Sequence, residues 1–190
     1  MCGKFLMSSP IKLKPPLTNE IIKPLSIGDI VSITGIIFTA RDAAHERMAT
    51  AIANGEVLPF DVRGQIIYFV GPTPARPGKP IGSAGPTTAS RMDPYSPRLI
   101  ERGLKGMVGK GKRSAEVVAA MARHKCVYLG AVEGTAALLA QAVVSAEVIA
   151  YDDLGPETIH RLDVVDFPAV VVNDVQGRDL YAEGRATYRR

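Results

Sequence analysis

Residues 30–54 read IVSITGIIFTARDAAHERMATAIAN, and this stretch decides the fold. Its first part, residues 30–38, is apolar and β-branched, as in a buried β-strand. From residue 42 to residue 54 the apolar side chains take helical spacing instead. Thr39 or Asp42 is the expected N-cap of this helix, because both residue types favour that position. The stretch therefore predicts a strand that leads directly into a helix N-terminus.

The same alternation of strands and helices continues along the chain. The apolar and β-branched runs predict strands at residues 66–70, 106–108, 126–129, 147–151 and 168–172. Helical spacing predicts helices at residues 97–102, 114–124 and 136–144, with Ser114 as a cap. We expect a mixed α/β domain whose sheet packs against helices. Strand order does not follow from this pattern.

A long loop rich in glycine and proline interrupts the pattern at residues 71–86. So many turn-forming residues exclude a regular helix or strand there. A loop of this length inside a compact domain is typically functional or disordered. The residues at its exit are therefore candidates for a functional site.

Composition defines the class of protein. The chain has 190 residues, of which 46% are hydrophobic and 22% charged, which excludes disordered and fibrous classes. We expect one domain over residues 10–190, preceded by a tail at residues 1–9. The charge-free stretch at residues 134–146 is too short for a membrane helix, which needs roughly 20 apolar residues. No apolar run of secretory type occurs near Met1, so we expect a cytoplasmic protein without membrane contact.

The positive charge is unevenly distributed, although the formal net charge is only +4. No acidic residue occurs between Asp61 and Asp93, or between Glu101 and Glu116, while both stretches contain several lysines or arginines. Two basic stretches without acids predict an anionic partner.

The first candidate motif is TARDAAHER, residues 39–47, where the predicted strand meets the helix. A helix N-terminus favours an anion, and the Arg41 guanidinium can bind a carboxylate or phosphate with two hydrogen bonds. His45 follows one helical turn later and can exchange a proton with the same anion. The spacing fits equally a capped surface helix with a solvated arginine and histidine.

The second motif is GPTTASRMD, residues 85–93, at the exit of the loop. Its three hydroxyls and Arg91 lie beside glycine, which lets backbone approach closely, so they can form a cradle for an oxyanion. A cation such as Arg91 also lowers the affinity of a neighbouring hydroxyl for its proton. The alternative is a Ser/Thr-rich turn that caps the next helix.

The third motif is GMVGKGKRS, residues 106–114, which nearly matches the nucleotide-binding G-x-x-x-x-G-K-[ST] loop. Arg113 replaces the hydroxyl that would hold magnesium, so the motif argues against an NTPase. Lys110 still places an ammonium group at a strand end, where ligands bind in α/β sheets. A basic surface turn is the other interpretation.

Taken in order, the three motifs resemble the beta subunit, or C-terminal domain, of the iron-sulfur-dependent class I fumarases and L(+)-tartrate dehydratases. The resemblance covers about residues 10–180 and includes the GDIVSITG strand, TARDAAHER, GPTTASRMDPY and GMVGKGKRS. It implies a swivelling β/β/α domain. It also implies the beta subunit of a hetero-oligomeric hydro-lyase that reversibly hydrates fumarate to (S)-malate and is active only with an alpha subunit.

The resemblance implies in addition a [4Fe-4S] cluster held by three cysteines of the alpha subunit. The present chain contains Cys2 and Cys126, which provide neither such a ligand set nor a disulfide framework. We therefore expect this chain to bind no metal itself.

Four substrate-binding residues are carried over from the family pattern. Arg41 matches the carboxylate-binding arginine of T-A-R-D, and Arg91 matches the arginine of G-P-T-T-x-x-R-M, a substrate clamp. Lys110 matches the lysine expected to hold the second carboxylate. Thr88 neighbours the threonine of the same motif as Arg91.

Two residues are candidates for proton transfer. Thr87 matches a threonine proposed to abstract the proton, and His45 matches a histidine regarded as an active-site residue. The sequence leaves open which of them is the base. It also leaves open whether the diacid is fumarate or tartrate.

Two alternatives belong to other classes of function. A non-catalytic module that binds nucleic acid or another polyanion would explain the charge, but not the ordered motifs. With 6% aromatic residues the chain offers few platforms for base stacking, so we expect no nucleic-acid partner. The second alternative is a lyase or isomerase that uses His45 without metal and acts as a single chain.

Overall fold

The computed structural model describes residues 9–131 and 136–188. The predicted tail, with Cys2, lies outside the described residues except for Ser9. The described chain forms strands β1 Ile11–Leu13, β2 Ile30–Thr39, β3 Ile66–Tyr68, β4 Gly106–Gly109, β5 Val127–Gly130, β6 Val143–Ala150 and β7 Ile159–Asn173. Its helices are α1 Asn19–Ile22, α2 Asp42–Ala53, α3 Ser96–Glu101, α4 Ala115–His124, α5 Ala136–Gln141 and α6 Leu180–Tyr188, with 3-10 segments at Ala89–Met92 and Asp152–Glu157. None of the described helices is both long and apolar enough to cross a bilayer.

The seven described strands form one mixed sheet in the order β1-β2-β3-β4-β5-β7-β6. Strands β1 to β5 pair in parallel, whereas β7 runs antiparallel to β2, β5 and β6. Because β7 bonds to both β5 and β2, the pairings β2-β3-β4-β5-β7 close into a ring. The carboxyl ends of β2, β3, β4 and β5 therefore lie at one edge of the sheet.

Alternate residues of the parallel strands enter two different hydrophobic clusters. Ile66 and Tyr68 belong to a cluster with Phe167 of β7, while Ile67 and Phe69 pack in a second cluster with Met48 of α2. This two-residue period is the geometry of a strand that is buried on both faces. Ile67 and Phe69 thus pack in the cluster that includes α2, while Tyr68 between them packs in the other cluster.

The predicted mixed α/β class is confirmed, and most predicted elements occur within a few residues of their expected positions. No helix or strand forms within residues 71–86, as the glycines and prolines predict. Ser114 caps α4, since its Oγ accepts a hydrogen bond from the Val117 N–H at 3.3 Å.

Two local predictions are wrong. The helix expected at residues 136–144 ends at Gln141, and β6 begins two residues later, where it pairs with β7. This long-range pairing, rather than local propensity, determines where the helix ends. Neither Thr39 nor Asp42 caps α2, because Arg41 occupies the N-cap position and makes no side-chain capping bond. The strand expected at residues 168–172 is confirmed as the last part of the 15-residue β7.

Candidate functional site

The long loop returns to the carboxyl edge of the sheet between the ends of β3 and β4. The Thr87 N–H donates to the Phe69 carbonyl at 2.6 Å, and the Lys110 N–H donates to the Thr87 carbonyl at 3.3 Å. The Ala89 N–H then donates to the Lys110 carbonyl at 2.8 Å, and Thr88 forms a parallel bridge with Lys110. These backbone bonds bring three of the predicted site residues together: Thr87, Thr88 and Lys110.

One carboxylate connects the two predicted arginine clamps. The Nη2 atom of Arg91 lies 2.5 Å from Oδ2 of Asp42, and the Nη2 atom of Arg41 lies 3.6 Å from Oδ1 of the same residue. The Arg91 side chain is 51% exposed and the Arg41 side chain 22% exposed. Both guanidinium groups therefore lie at the start of α2 and are open to solvent on one side.

The start of α2 is held by a residue from a distant part of the chain. The Ala43 N–H donates to Oε2 of Glu157 at 2.8 Å, and Oε1 of Glu157 lies 3.2 Å from Nη2 of Arg41. A carboxylate that accepts a backbone N–H in the first turn performs the function of a capping side chain. The cap that we expected from Thr39 or Asp42 is thus supplied by tertiary structure.

His45 lies on the inner side of α2. It is fully buried, and its ring meets the Phe69 ring edge-on with 5.2 Å between centroids. Its Nδ1 atom lies 2.9 Å from the Arg41 carbonyl oxygen, which only accepts, so we assign the ring proton to Nδ1. Burial, with a smaller effect from the positive charge of Arg113, lowers the pKa of His45 to about 4. The ring is therefore neutral at neutral pH and adds no positive charge beside Arg41.

Unused hydrogen-bonding capacity remains at this helix start. Three buried atoms make no hydrogen bond to any described residue: Nε of Arg41, Oδ1 of Asp42 and Nε2 of His45. Buried polar atoms in native proteins nearly always have partners, so each such atom calls for a specific explanation. A ligand or a second polypeptide that completes the site would provide that explanation.

A buried ion pair that the sequence did not reveal links the second and third motifs. Nε of Arg113 lies 2.7 Å from Oδ1 of Asp93, and the Arg113 side chain is fully buried. Its guanidinium lies over the rings of Phe69 and Tyr128, at 5.2 Å from each centroid. The second oxygen of Asp93 accepts the Ser114 N–H at 2.7 Å. This pair ties the Arg91 segment to the turn that carries Lys110.

The local signal for this pair was the unusual position of Arg113 in a near-match to a nucleotide-binding loop. An arginine in place of the hydroxyl excluded one function without indicating another. Its acidic partner is 20 residues earlier in the chain, a separation that no local pattern relates.

A cavity of about 680 Å³ opens beside Lys110 and Thr88. Lys112, Tyr181 and Arg185 also line it, so helix α6 forms part of its wall. Its volume exceeds what a small diacid requires, and positively charged residues are among its lining residues.

The basic stretches of the sequence are less positive in the folded chain than in the sequence. Asp61 pairs with Arg63, Asp42 with Arg91 and Asp93 with Arg113. Carboxylates from outside or from the borders of each stretch thus neutralise part of the charge. The hypothesis of an anionic partner therefore applies to the basic residues at the carboxyl edge of the sheet, and not to both basic stretches as a whole.

The described residues do not fit an iron-sulfur cluster. They contain no grouping of three or more His, Cys, Asp or Glu side chains that could hold a metal ion. Cys126, the cysteine within the described ranges, is fully buried, and burial raises the pKa of its thiol to about 12. A metal-binding thiolate would require the opposite environment.

The chain has a mixed α/β fold, and basic residues lie where its parallel strands end, which is where ligands bind in many α/β sheets. The model of the family described as Fumarase C-terminus matches residues 5–184. The chain belongs to this family.

Curated relatives agree with that assignment. The chain is 38% identical over 182 residues to the aerobic class I fumarate hydratase of Escherichia coli strain K12, covering 93% of this chain and 33% of the relative. It is 39% identical over 178 residues to the anaerobic class I enzyme of the same organism, covering 91% of this chain and 32% of the relative. The chain thus spans about a third of the length of these relatives.

A further relative has a length similar to that of the chain. This protein of Methanocaldococcus jannaschii is named putative L(+)-tartrate dehydratase subunit beta and is 37% identical over 173 residues. The match covers 88% of this chain and 89% of the relative.

Proposed function

We propose that the chain is the beta part of a hydro-lyase that reversibly hydrates fumarate to (S)-malate. The observation that carries this proposal is the pairing of both Arg41 and Arg91 with Asp42 at the edge that Lys110 also adjoins. Cations fixed in this way can bind the carboxylates of a small diacid. The family membership and the named fumarate hydratases support the reaction class.

The proposed roles follow from the charge that develops during the reaction. Removing a proton beside a carboxylate increases the negative charge on that carboxylate. Fixed cations there stabilise the transition state more than the bound substrate. We assign Arg41 and Arg91 to one carboxylate and Lys110 to the other, with Thr88 beside them.

For proton transfer we favour Thr87 over His45. Thr87 is partly exposed and is placed next to Lys110 by backbone bonds. The His45 ring is enclosed and donates its one ring proton to the Arg41 carbonyl. His45 is better suited to holding the backbone of Arg41 in place.

The remainder of the enzyme is proposed to be an alpha subunit that carries the [4Fe-4S] cluster. The length of the fumarate hydratase relatives and the subunit name of the Methanocaldococcus jannaschii relative support a second polypeptide. The buried atoms at the start of α2 that make no hydrogen bond to a described residue are consistent with a site completed from outside this chain.

L(+)-tartrate is the second candidate substrate. The Methanocaldococcus jannaschii relative, whose own length the match covers to 89%, is named putative L(+)-tartrate dehydratase subunit beta. Tartrate and fumarate both carry two carboxylates, so the same cations would bind either of them. The polyanion-binding alternative is weakened because Arg63 and Arg113, which belong to the two basic stretches, are paired with Asp61 and Asp93.

The test is reconstitution. The chain is combined with a cluster-loaded alpha subunit, and hydration of fumarate and dehydration of L(+)-tartrate are measured against the alpha subunit alone. A gain with one diacid assigns the substrate, and no gain with either refutes the proposal. Salt-dependent binding to RNA or DNA in the absence of such a gain would favour the polyanion-binding module.

A further inference from the structure

The segment between β6 and β7 packs against α2. Both oxygens of Asp153 accept hydrogen bonds from the Arg47 guanidinium, at 2.8 and 2.7 Å. The same guanidinium lies 4.7 Å from the centroid of the Tyr151 ring. Arg47 therefore attaches this segment to the outer face of the helix, six residues after Arg41.

Glu157 ends this segment and reaches the start of the helix. One of its oxygens accepts the Ala43 N–H at 2.8 Å, and the other lies 3.2 Å from Nη2 of Arg41. Its side chain is only 18% exposed, so solvent screens this pair less than a surface pair. A single carboxylate thus fixes both the first turn of α2 and the guanidinium beside it.

Gly71 provides a second, independent constraint on Arg41. A Cβ atom at Gly71 would lie 2.6 Å from the Pro156 carbonyl oxygen and 3.1 Å from Cδ of Arg41. The absence of a side chain lets the backbone before Glu157 and the stem of Arg41 pack together. The Arg41 side chain is thereby confined between residue 71 and the segment that ends in Glu157.

We propose that Glu157 is a positioning residue: it orients the Arg41 guanidinium for the substrate carboxylate. This inference rests on the proposed function, in which Arg41 binds a dicarboxylate. Glu157 does not touch the substrate, and it acts through Arg41. A guanidinium fixed before binding loses less conformational entropy when the carboxylate arrives.

Positioning and simple charge make opposite predictions for Glu157. Its negative charge lowers the positive potential that attracts a dianion. If charge alone mattered, neutralising Glu157 would strengthen substrate binding and lower KM. If Glu157 orients Arg41, the same change raises KM.

The substitution Glu157→Gln separates these outcomes. Glutamine retains an oxygen that can accept the Ala43 N–H, but it loses the ion pair with Arg41. In the complex with the alpha subunit, we expect KM for the diacid to rise about tenfold, with a smaller change in kcat. The matched control is Asp153→Asn, which also removes one carboxylate of this segment and its ion pair with Arg47, but keeps both contacts of Glu157 and leaves KM unchanged.

A second measurement does not depend on activity. In NMR spectra of the full chain alone, the Nε–H signal of Arg41 should be that of an ordered side chain in the wild type and in Asp153→Asn. In Glu157→Gln it should show increased motion. Three results would overturn the inference. They are an unchanged or lower KM in Glu157→Gln, an equal rise of KM in Asp153→Asn, and an unchanged Arg41 signal in Glu157→Gln. Lack of activity in the wild-type complex would refute the proposed function, while the Arg41 signal would still decide whether Glu157 orders that side chain.

Discussion

Oδ2 of Asp42 lies 2.5 Å from Nη2 of Arg91, although the two residues are 49 positions apart. This bond joins the start of α2 to the 3-10 segment at the exit of the long loop. It places both arginines that the motifs single out on one carboxylate.

Arg91→Ala should abolish turnover in the reconstituted enzyme while leaving the fold intact. Its side chain is half exposed, and an exposed ion pair contributes about 0–1 kcal/mol to stability. Urea unfolding and steady-state kinetics with fumarate and L(+)-tartrate measure the two effects. Arg76→Ala removes the same charge from an exposed position in the loop and serves as the control. Normal turnover of both diacids by Arg91→Ala would contradict the assigned role.

Asp93→Asn should strongly destabilise the chain. The substitution leaves the fully buried Arg113 guanidinium without its counter-charge, which costs about 3–5 kcal/mol. The free energy of unfolding from urea titration measures this loss. Asp61→Asn breaks an exposed pair with Arg63 and should cost less than about 1 kcal/mol. Equal losses in the two variants would show that the buried pair is not important for stability.

The stability of the chain should fall as the pH drops from about 6.5 to 4, in part because of His45. Burial lowers the pKa of this ring to about 4 in the folded chain, from 6.5 as the ordinary value. Between these pH values the unfolded chain binds the proton that the folded chain excludes, so the free energy of unfolding decreases as the pH falls. The contribution amounts to roughly 3 kcal/mol.

The substitution His45→Asn tests this pH dependence, because asparagine retains an N–H donor for the Arg41 carbonyl but does not titrate. The variant should be less stable at pH 7 and should show a smaller pH slope between 4 and 6.5. Chemical denaturation at several pH values gives both slopes. Identical slopes in wild type and variant would mean that folding does not lower the pKa of His45.

Gly71→Ala should destabilise the chain by about 1–3 kcal/mol, because the added methyl group overlaps the Pro156 carbonyl oxygen. Thermal unfolding and KM in the reconstituted enzyme are the readouts, and we expect Arg41 to be displaced as well. The control is Gly184→Ala in α6, where no described atom lies within 4 Å of the new Cβ apart from its chain neighbours and the adjacent backbone of the helix itself. That change should be neutral or stabilising by up to about 1 kcal/mol. A Gly71→Ala variant as stable as the wild type would argue against close packing around Arg41.

The strand-to-helix passage at residues 30–54 was predictable because its signals are local. A β-branched apolar run changes to helical spacing within a few residues, and the structure follows with β2 and α2. The motif residues at the sheet edge were predictable for a similar reason. Parallel strands direct their carboxyl ends to one edge, so Arg41 and Lys110 follow strands that end there.

Long-range partners were not predictable. The first part of β7, residues 159–166, reads IHRLDVVD and contains no continuous apolar run. Pairing with the neighbouring strands makes it part of a 15-residue strand. Likewise, an arginine in the sequence predicts a positive charge, but it does not predict whether the side chain is buried or exposed to solvent. Arg113 is fully buried between two rings, whereas Arg91 is half exposed.

The amino-acid sequence alone determined the α/β class, the strand that leads into α2 and the residues of the three motifs. These depend on spacing and propensity within a few residues. Only the tertiary structure decided that Glu157 caps α2, that Asp42 holds two arginines and that His45 is enclosed and neutral. The physical reason is that burial and long-range ion pairs depend on which distant segments meet, and that becomes defined when β7 closes the ring of strands.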